Sequence, residues 1–537
     1  MVKGMVQISR RGFVASAAAG LALGNAGLSF SAPASGGPKY RRYNAVSAQG
    51  QIMVAAYAKA IETMLKLPCS HPHNWFRIAF VHLLDCPHGN WWFYAWHRGY
   101  LGYFEETVRK YSGLSEFALP YWDWTELPEI PASMFDGVLT PADGAYAVAT
   151  ENIAVFEAMI RPALEQYWST LSGPQLAQLG LRGYSSIDDV WKDVDGNGVA
   201  GNAGFAPTCS SRYLTRRNSK LDAKTAYDVS PFVIGAGLFP SAFWSEDISN
   251  SFTSNRTQSH NTQPNKTTKF SILEGLPHNL VHNYIGGSPP LDPGPFGNMT
   301  NFLSPVDPIF FMHHSNMDRL WDVWERKQQR LKLPLLPSGD DLSALSEEPF
   351  LFFVDSEGNY LTDRKAGEFL SMKRFDYDYE PGSGEIVATG KFGMAVKGTM
   401  IPASEVAGDW SATVPSKLAA SHLDPKQAPL IAEVTFTRPN DAAAPRQFDV
   451  LINAPAGLVN VNADSPYYAG TLSFFGPVMD HMNHGTDTDA TFAVPIPRQP
   501  ALFLAEKGGS PILRIRVVPS GKSRVPAPTV KAVTIRR

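Results

Sequence analysis

Pro277-His278-Asn279-Leu280-Val281-His282 sets two imidazoles four residues apart, and Asp307-Pro308-Ile309-Phe310-Phe311-Met312-His313-His314 sets two more in a second apolar run. On a helix, residues i and i+4 stand one above the other on one face, the spacing that lets two rings grip one metal ion. No glutamate follows His278, so the pair is not the HExxH pattern of zinc proteases. In the second run Asp307 suits an N-cap and Pro308 the first helical position, so a helix start is well marked there. His313 and His314 differ by about 100° around that helix and cannot both meet one ion from the same side. Periodicity does not choose between them, because Phe310, Met317, Leu320, Trp321 and Trp324 flank both directions.

A matching cluster lies upstream in Val81-His82-Leu83-Leu84-Asp85-Cys86-Pro87-His88-Gly89-Asn90-Trp91-Trp92-Phe93-Tyr94-Ala95-Trp96-His97-Arg98. The pattern predicts His97 on a helix, while His88, between Pro87 and Gly89, belongs to the turn that introduces it. Of the 13 histidines, nine lie in or beside the two clusters, within aromatic-rich segments where an unpaired polar ring is costly. A lone buried histidine is ordinarily a hydrogen-bonded core residue; two sets of three ask for a metal. Three neutral imidazoles without a carboxylate disfavour magnesium, calcium and the two-histidine, one-carboxylate iron site, which leaves copper or zinc.

Around these clusters the chain is organised in two parts. Helical spacing runs from about Arg41 to Tyr111, through Met53, Ala56, Ala60 and Met64 and again through His97, Leu101, Phe104 and Val108. Residues 126–270 are rich in Pro, Gly, Ser and Asn and read as a long irregular connection of the kind that shapes pockets. After Tyr379 the period changes to that of strands, in Ala432–Thr437, Gln447–Ile452 and Ile512–Val518. The expected architecture is a mainly α domain over 35–380, a four-helix bundle around the metal site, followed by a C-terminal β-sandwich over 381–537. Asp193-Val194-Asp195-Gly196-Asn197-Gly198 mimics a calcium loop, but its twelfth position is Gly204, so it reads as a polar loop.

Composition removes several classes. Net charge is −3 and the basic residues form no stripe, which argues against nucleic acid as a partner. Ser9-Arg10-Arg11-Gly12-Phe13, the apolar Val14–Leu28 run and Ala32-Pro33-Ala34 read as a twin-arginine signal peptide over residues 1–34, the address of a bacterial exported protein bound for the periplasm or the exterior. No other stretch reaches about 18 apolar residues, so no membrane span is expected. Cys69, Cys86 and Cys209 allow at most one disulfide.

The two clusters, with Leu119-Pro120-Tyr121-Trp122-Asp123-Trp124 between them, resemble the copper motifs of the tyrosinase and polyphenol oxidase family of type 3 dicopper oxidases. The similarity covers roughly residues 41–380, loosely over 126–270. Tyr377-Asp378-Tyr379 resembles the tyrosine motif that ends the family's catalytic domain, and Gln447-Phe448-Asp449-Val450 a motif of its C-terminal β-domain, with Gln where Lys is usual. Carried over by position, the resemblance implies that His82, His88 and His97 bind one copper ion and His278, His282 and His314 a second, with His313 behind them. Only five residues separate His82 from His88, a shorter loop than many members have; His71 and His73 are substitutes, although their Pro-containing turn suggests surface roles. Cys86-Pro87-His88 resembles the Cys-X-His of fungal members, whose sulfur is bonded to a ring carbon of a copper ligand; here a proline intervenes, and the plain alternative is a small buried hydrophobe. Glu274 and Asn279 resemble a pair that holds an activating water, against a plain reading as a helix-terminal acid and a polar helix residue.

What the resemblance implies is O2-dependent oxidation of small phenols and catechols to o-quinones, with monophenol ortho-hydroxylation in a tyrosinase. The alternatives are a catechol oxidase only, an o-aminophenol oxidase, or an O2 carrier of the haemocyanin type. A dizinc hydrolase would need bridging carboxylates that neither cluster supplies. In the family the C-terminal domain can shield the copper pocket, and Phe474, Phe475, Met479 and Met482 are candidates for the residue that plugs it.

Overall fold

A computed structural model describes residues 37–196, 212–262, 267–287, 297–390, 398–437, 446–476, 489–505, 509–521 and 528–537. The signal-peptide segment, Cys209, Met479 and Met482 lie outside the described residues.

Helices build the first part. α1 (Ala48–Lys66) starts where the Ser47 side chain accepts from Gly50 N–H and buries Met53, Tyr57, Ala60, Ile61 and Met64 on one face. α2 (Trp75–Asp85), capped by Asn74, is buried all round, as its run of apolar residues without a polar face requires. α3 (Phe93–Ser112) ends at Gly113, whose φ of 73° is left-handed. Gly102 on α3 has no substitute: a Cβ there would lie 2.2 Å from the Phe375 ring. Within the irregular connection, α4 (Gly173–Arg182) and α5 (Ala223–Asp228) are short. α6 (Asn279–Gly286) follows a π-helical turn, Glu274–His278, and α7 (Ile309–Leu331) starts from a helical Pro308 with Asp307 Oδ1 accepting Ile309 N–H at 3.1 Å. Tyr57 Oη and Trp75 Nε1 donate to the carbonyls of Pro308 and Val306, which ties α1 and α2 to the start of α7. No helix among the described residues is long and apolar enough to cross a membrane.

The tyrosine motif closes this unit. β1 (Tyr40–Arg42) runs parallel to β3 (Tyr377–Tyr379), the thread that joins the two ends of the helical unit. Tyr377 and Tyr379 donate to Asp318 on α7, whose carboxylate also holds Arg98 at 2.7 Å and Arg42 at 3.1 Å, while Arg42 reaches Glu105 at 2.8 Å. All four charges are buried, so removing one partner would leave another uncompensated, at a cost of about 3–5 kcal/mol.

Strands β4 (Met400–Pro402), β5 (Ser404–Val406), β6 (Asp409–Thr413), β7 (Ile431–Thr437), β8 (Gln447–Ile452), β9 (Tyr468–Ser473), β10 (Asp489–Pro495), β11 (Ile512–Pro519) and β12 (Val530–Arg536) follow. One sheet has the order β9-β8-β11-β6-β5; the other takes its edge strand, β2 (Thr267–Phe270), from the helical half in the order β2-β10-β7-β12-β4. β2 joins β10 in parallel, so the two halves are interlocked along the chain. At their junction Lys224 of α5 meets Asp449 of β8 at 2.6 Å, and Asn279 and Asn283 of α6 donate to Ser473 and Phe474 at the end of β9. The calcium-like run does not form a loop over its first residues: Asp193 and Asp195 end a helix, Ile187–Asp195, and Asp193 accepts from the Tyr184 hydroxyl at 2.6 Å.

Candidate metal centre

Four helices point histidines into one buried space. α2 carries His82, α3 His97, the π turn and α6 His278 and His282, and α7 His313 and His314, while His88 projects from the turn between α2 and α3. The rings of His82, His88 and His97 form a near-equilateral triangle with centroids 5.4, 5.6 and 5.6 Å apart. His278, His282 and His314 form a second, at 4.7, 5.0 and 5.3 Å. The ligand atoms of His278, His282, His313 and His314 all lie within 4.8 Å of one another. His314 stacks on His97 at 4.1 Å and so faces the first triangle, whereas His313 packs on Trp124 at 4.8 Å.

The surroundings fix which nitrogen faces inward. Nδ1 of His82 donates to the Phe302 carbonyl at 2.6 Å, that of His97 to the Phe93 carbonyl at 2.7 Å, and that of His282 to the Met299 carbonyl at 2.8 Å. His278 Nδ1 donates to Asn279 Oδ1 at 2.8 Å. With Nδ1 protonated, each neutral ring presents the lone pair of Nε2. The Nε2 atoms of His82, His88, His97 and His278 are buried without a protein partner, and those of His282 and His314 lie 3.1 Å apart. Burial holds the imidazoles neutral: desolvation pushes His97 and His278 down to about 3, and His82, His88, His282 and His314 lie well below the ordinary range, first by desolvation and then by neighbouring histidines. Four of the six rings thus have ordered outer partners, and neutral imidazole nitrogens held in this way suit soft or borderline metal ions.

A match in sequence coincides with this geometry. A model of the family described as the common central domain of tyrosinase matches residues 71–327. These residues form a central domain of the tyrosinase and polyphenol oxidase family. The chain is 24% identical over 362 residues to a chloroplastic polyphenol oxidase of Spinacia oleracea, covering 64% of this chain and 47% of that one. It is 27% identical over 243 residues to a tyrosinase of Hahella sp. (strain CCB-MM4), covering 44% and 37%. The chain thus spans about half or less of the length of these curated relatives. In fold it is similar to a recombinantly expressed latent aurone synthase, a polyphenol oxidase, with a TM-score of 0.52 at 16% identity over 94% of this chain and 90% of that one. The tyrosinase-type domain is helical and carries the histidine cluster, and the β-sheet region follows it. The cluster is consistent with the dicopper site of this family.

Other predicted residues fall as follows. Glu274 is buried, its carboxylate accepting from Gly89 N–H and the Ser254 hydroxyl; desolvation raises it to about 7. The π turn bonds Asn279 N–H to the Glu274 carbonyl and so brings these two residues, five apart, onto one face. Asn279 is nevertheless committed, to His278 through Oδ1 and to the Ser473 carbonyl through Nδ2 at 2.7 Å. Cys86 Sγ lies 3.5 Å from Nδ1 of His88, and neither Cys86 nor Cys69 is in a disulfide. The surface roles expected for His71 and His73 do not hold for His73, which is buried: Nδ1 meets the Tyr111 hydroxyl at 3.0 Å and Nε2 the Asp355 carbonyl at 2.7 Å, pinning a loop. Of the plug candidates, Phe474 packs in the sandwich core against Phe436 and Phe492, while Phe475 lies 4.8 Å from His88 and 4.3 Å from His282, over both triangles.

The reading of the sequence did not single out His260. It sits between Glu348 Oε1 at 2.6 Å and Asp85 Oδ1 at 2.8 Å, and Asp85 also accepts the Trp96 indole N–H at 2.8 Å beside His97. Burial opposes its charge, but the two carboxylates overcome this and raise it to about 9. A folded-state pKa above the ordinary 6.5 means that the stabilisation is complete below about pH 6.5 and is lost as pH rises through about 9. The thermal midpoint of the chain is expected to fall across that window, and His260→Gln to lower the midpoint at pH 6 while flattening the decline; a variant profile parallel to wild type would remove His260 as its cause.

Proposed function

We propose that this chain oxidises small phenols and catechols to o-quinones with O2, using two copper ions, one held by His82, His88 and His97 and the other by His278, His282 and His314. The observation that supports it most is the common orientation of four of these imidazoles, His82, His97, His278 and His282, with Nδ1 bound outward on carbonyls and an amide and Nε2 turned to a shared buried space. Copper supplies redox chemistry with O2 and a Lewis-acidic position for a phenolic oxygen. Phe93, Phe302 and Phe310 wall the space with apolar rings that exclude water and accept a flat aromatic substrate. Glu274, near 7, can take up a proton at neutral pH, the property a base for a phenol hydroxyl near 10 requires. This supports monophenol hydroxylation. The commitment of Asn279 to Ser473 favours the narrower reading, catechol or o-aminophenol oxidation only, while the sandwich is docked. Assays of purified copper-loaded chain on a monophenol, its catechol and an o-aminophenol under air separate these readings. O2 binding without turnover of any of them would leave the carrier reading instead.

Three further roles belong to the proposal. The sandwich shields the site, with Phe475 as the plug, a role supported by its contacts with His88 and His282 and by the latency named for the aurone synthase of similar fold. Export by the twin-arginine route rests on Ser9–Phe13; secreted protein beginning after about Ala34 is expected, and protein that keeps those residues inside the cell would refute it. Lastly, Cys86 becomes a thioether to the His88 ring, losing two hydrogens whose electrons pass to O2 at the site. Peptide mapping of copper-loaded protein is expected to show the 86–88 peptide two hydrogens lighter than its free form, and a Cys86 that alkylates fully after denaturation excludes the bond.

A further inference from the structure

His88 is the member of the first triangle that no helix orients. Cys86 is extended, with φ −70° and ψ 129°, and Gly89 has φ 68°, so the ring hangs from a turn between two helices. The Nδ1 atoms of His82 and His97 rest on backbone carbonyls, whereas the neighbour of His88 Nδ1 is a thiol at 3.5 Å, a weak partner. The Cys86 carbonyl and sulfur are gripped from behind by a residue of the irregular connection. Arg182, the last residue of α4 before the left-handed Gly183, sends Nη1 to the Cys86 carbonyl at 2.8 Å and Nη2 to Cys86 Sγ at 3.4 Å. Nη1 also reaches Asn261 Oδ1 at 3.2 Å, and Asn261 in turn donates to Asp85 Oδ1 at 3.1 Å and to Gln178 Oε1 one turn earlier on α4. The guanidinium carbon stands 5.3 Å from the Phe302 ring, which stacks on His88 at 5.4 Å and whose carbonyl takes His82 Nδ1–H.

We propose that Arg182 is a positioning residue for the first three-histidine set, its planar fork locking the Cys86–His88 turn and the Phe302 ring against which His88 lies. The proposal rests on the copper assignment made above. A guanidinium suits the task because its geometry is rigid: one planar group meets a carbonyl, a sulfur and an aromatic face together, which a point-charge ammonium cannot do. Partners of this outer kind typically change metal affinity by about 10–100-fold when lost. A merely structural arginine, filling space and satisfying the Cys86 carbonyl, would loosen both triangles alike.

Arg182→Met tests this in two backgrounds of the full chain. With His282→Ala, copper is left on the first triangle; with His97→Ala, on the second. Each protein is loaded with copper and titrated with a chelator. Arg182→Met is expected to release copper at about tenfold lower chelator concentration in the His282→Ala background, with no change in the His97→Ala background. Equal loosening in both, or none in either, overturns the proposal. Arg182→Lys, which keeps the charge without the fork, is titrated the same way if the methionine variant does not fold, and the same two patterns decide. A wild-type chain that takes up no copper overturns the copper reading and this proposal with it, an outcome distinct from any pattern at Arg182.

Discussion

His282→Ala is expected to leave a folded chain with about half the wild-type copper and no measurable catechol oxidation, and His97→Ala to do the same from the other triangle. Each change takes one of three nitrogens from one set. His282 Nε2 lies 3.1 Å from His314 Nε2, so its loss removes one of two ring nitrogens that converge there, and His97→Ala removes the ring on which His314 stacks. Neither variant should unfold. Both rings are fully buried and neutral, and alanine leaves only a carbonyl, of Met299 or Phe93, to find water in the space vacated. Copper analysis with circular dichroism and a catechol assay checks all three points. Wild-type turnover in either variant would sink the assignment of these residues as ligands.

Phe475→Ala is expected to raise the activity of the uncleaved chain by about tenfold or more, chiefly through a lower apparent KM. If the docked state leaves the site open about 1–10% of the time, removal of the plug recovers that factor. Phe475 touches His88, His278, His282 and Phe302, and no sandwich-core ring depends on it, because Phe474 next to it serves the core. Deletion of everything after about Gly384 is a harsher form of the same test. It strips β2 of its partner β10 and bares Val233, Ala236, Ile272 and Leu276, which pack with the sandwich. A truncated chain that is less active can therefore reflect exposed apolar surface, whereas Phe475→Ala leaves the junction of Asn279 and Asn283 with Ser473 and Phe474 intact. An unchanged KM in a folded, copper-loaded Phe475→Ala protein refutes the plug.

The sequence by itself determined the parts of this protein that are local. Four-residue spacing put His278 and His282 on one face, Asp307-Pro308 marked the start of α7, and the switch from helical to alternating pattern after Tyr379 announced the sheets, because each signal needs only a few consecutive residues. Tertiary structure decided everything that depends on a partner distant in the chain. The carbonyls of Phe302 and Met299 choose the inward nitrogen of His82 and His282, yet a carbonyl belongs to every residue and leaves no trace in side-chain identity. Phe474 and Phe475 are the same residue type one position apart, and only the course of the chain just beyond the end of β9, where Phe474 N–H bonds the Arg446 carbonyl, puts one in the sandwich and the other on the histidines. Asp85, Arg182 and His260 read singly as scattered polar residues; folding closes 96 residues between Cys86 and Arg182 and 175 between Asp85 and His260, and in the dry interior it creates, each charge or donor must find the others.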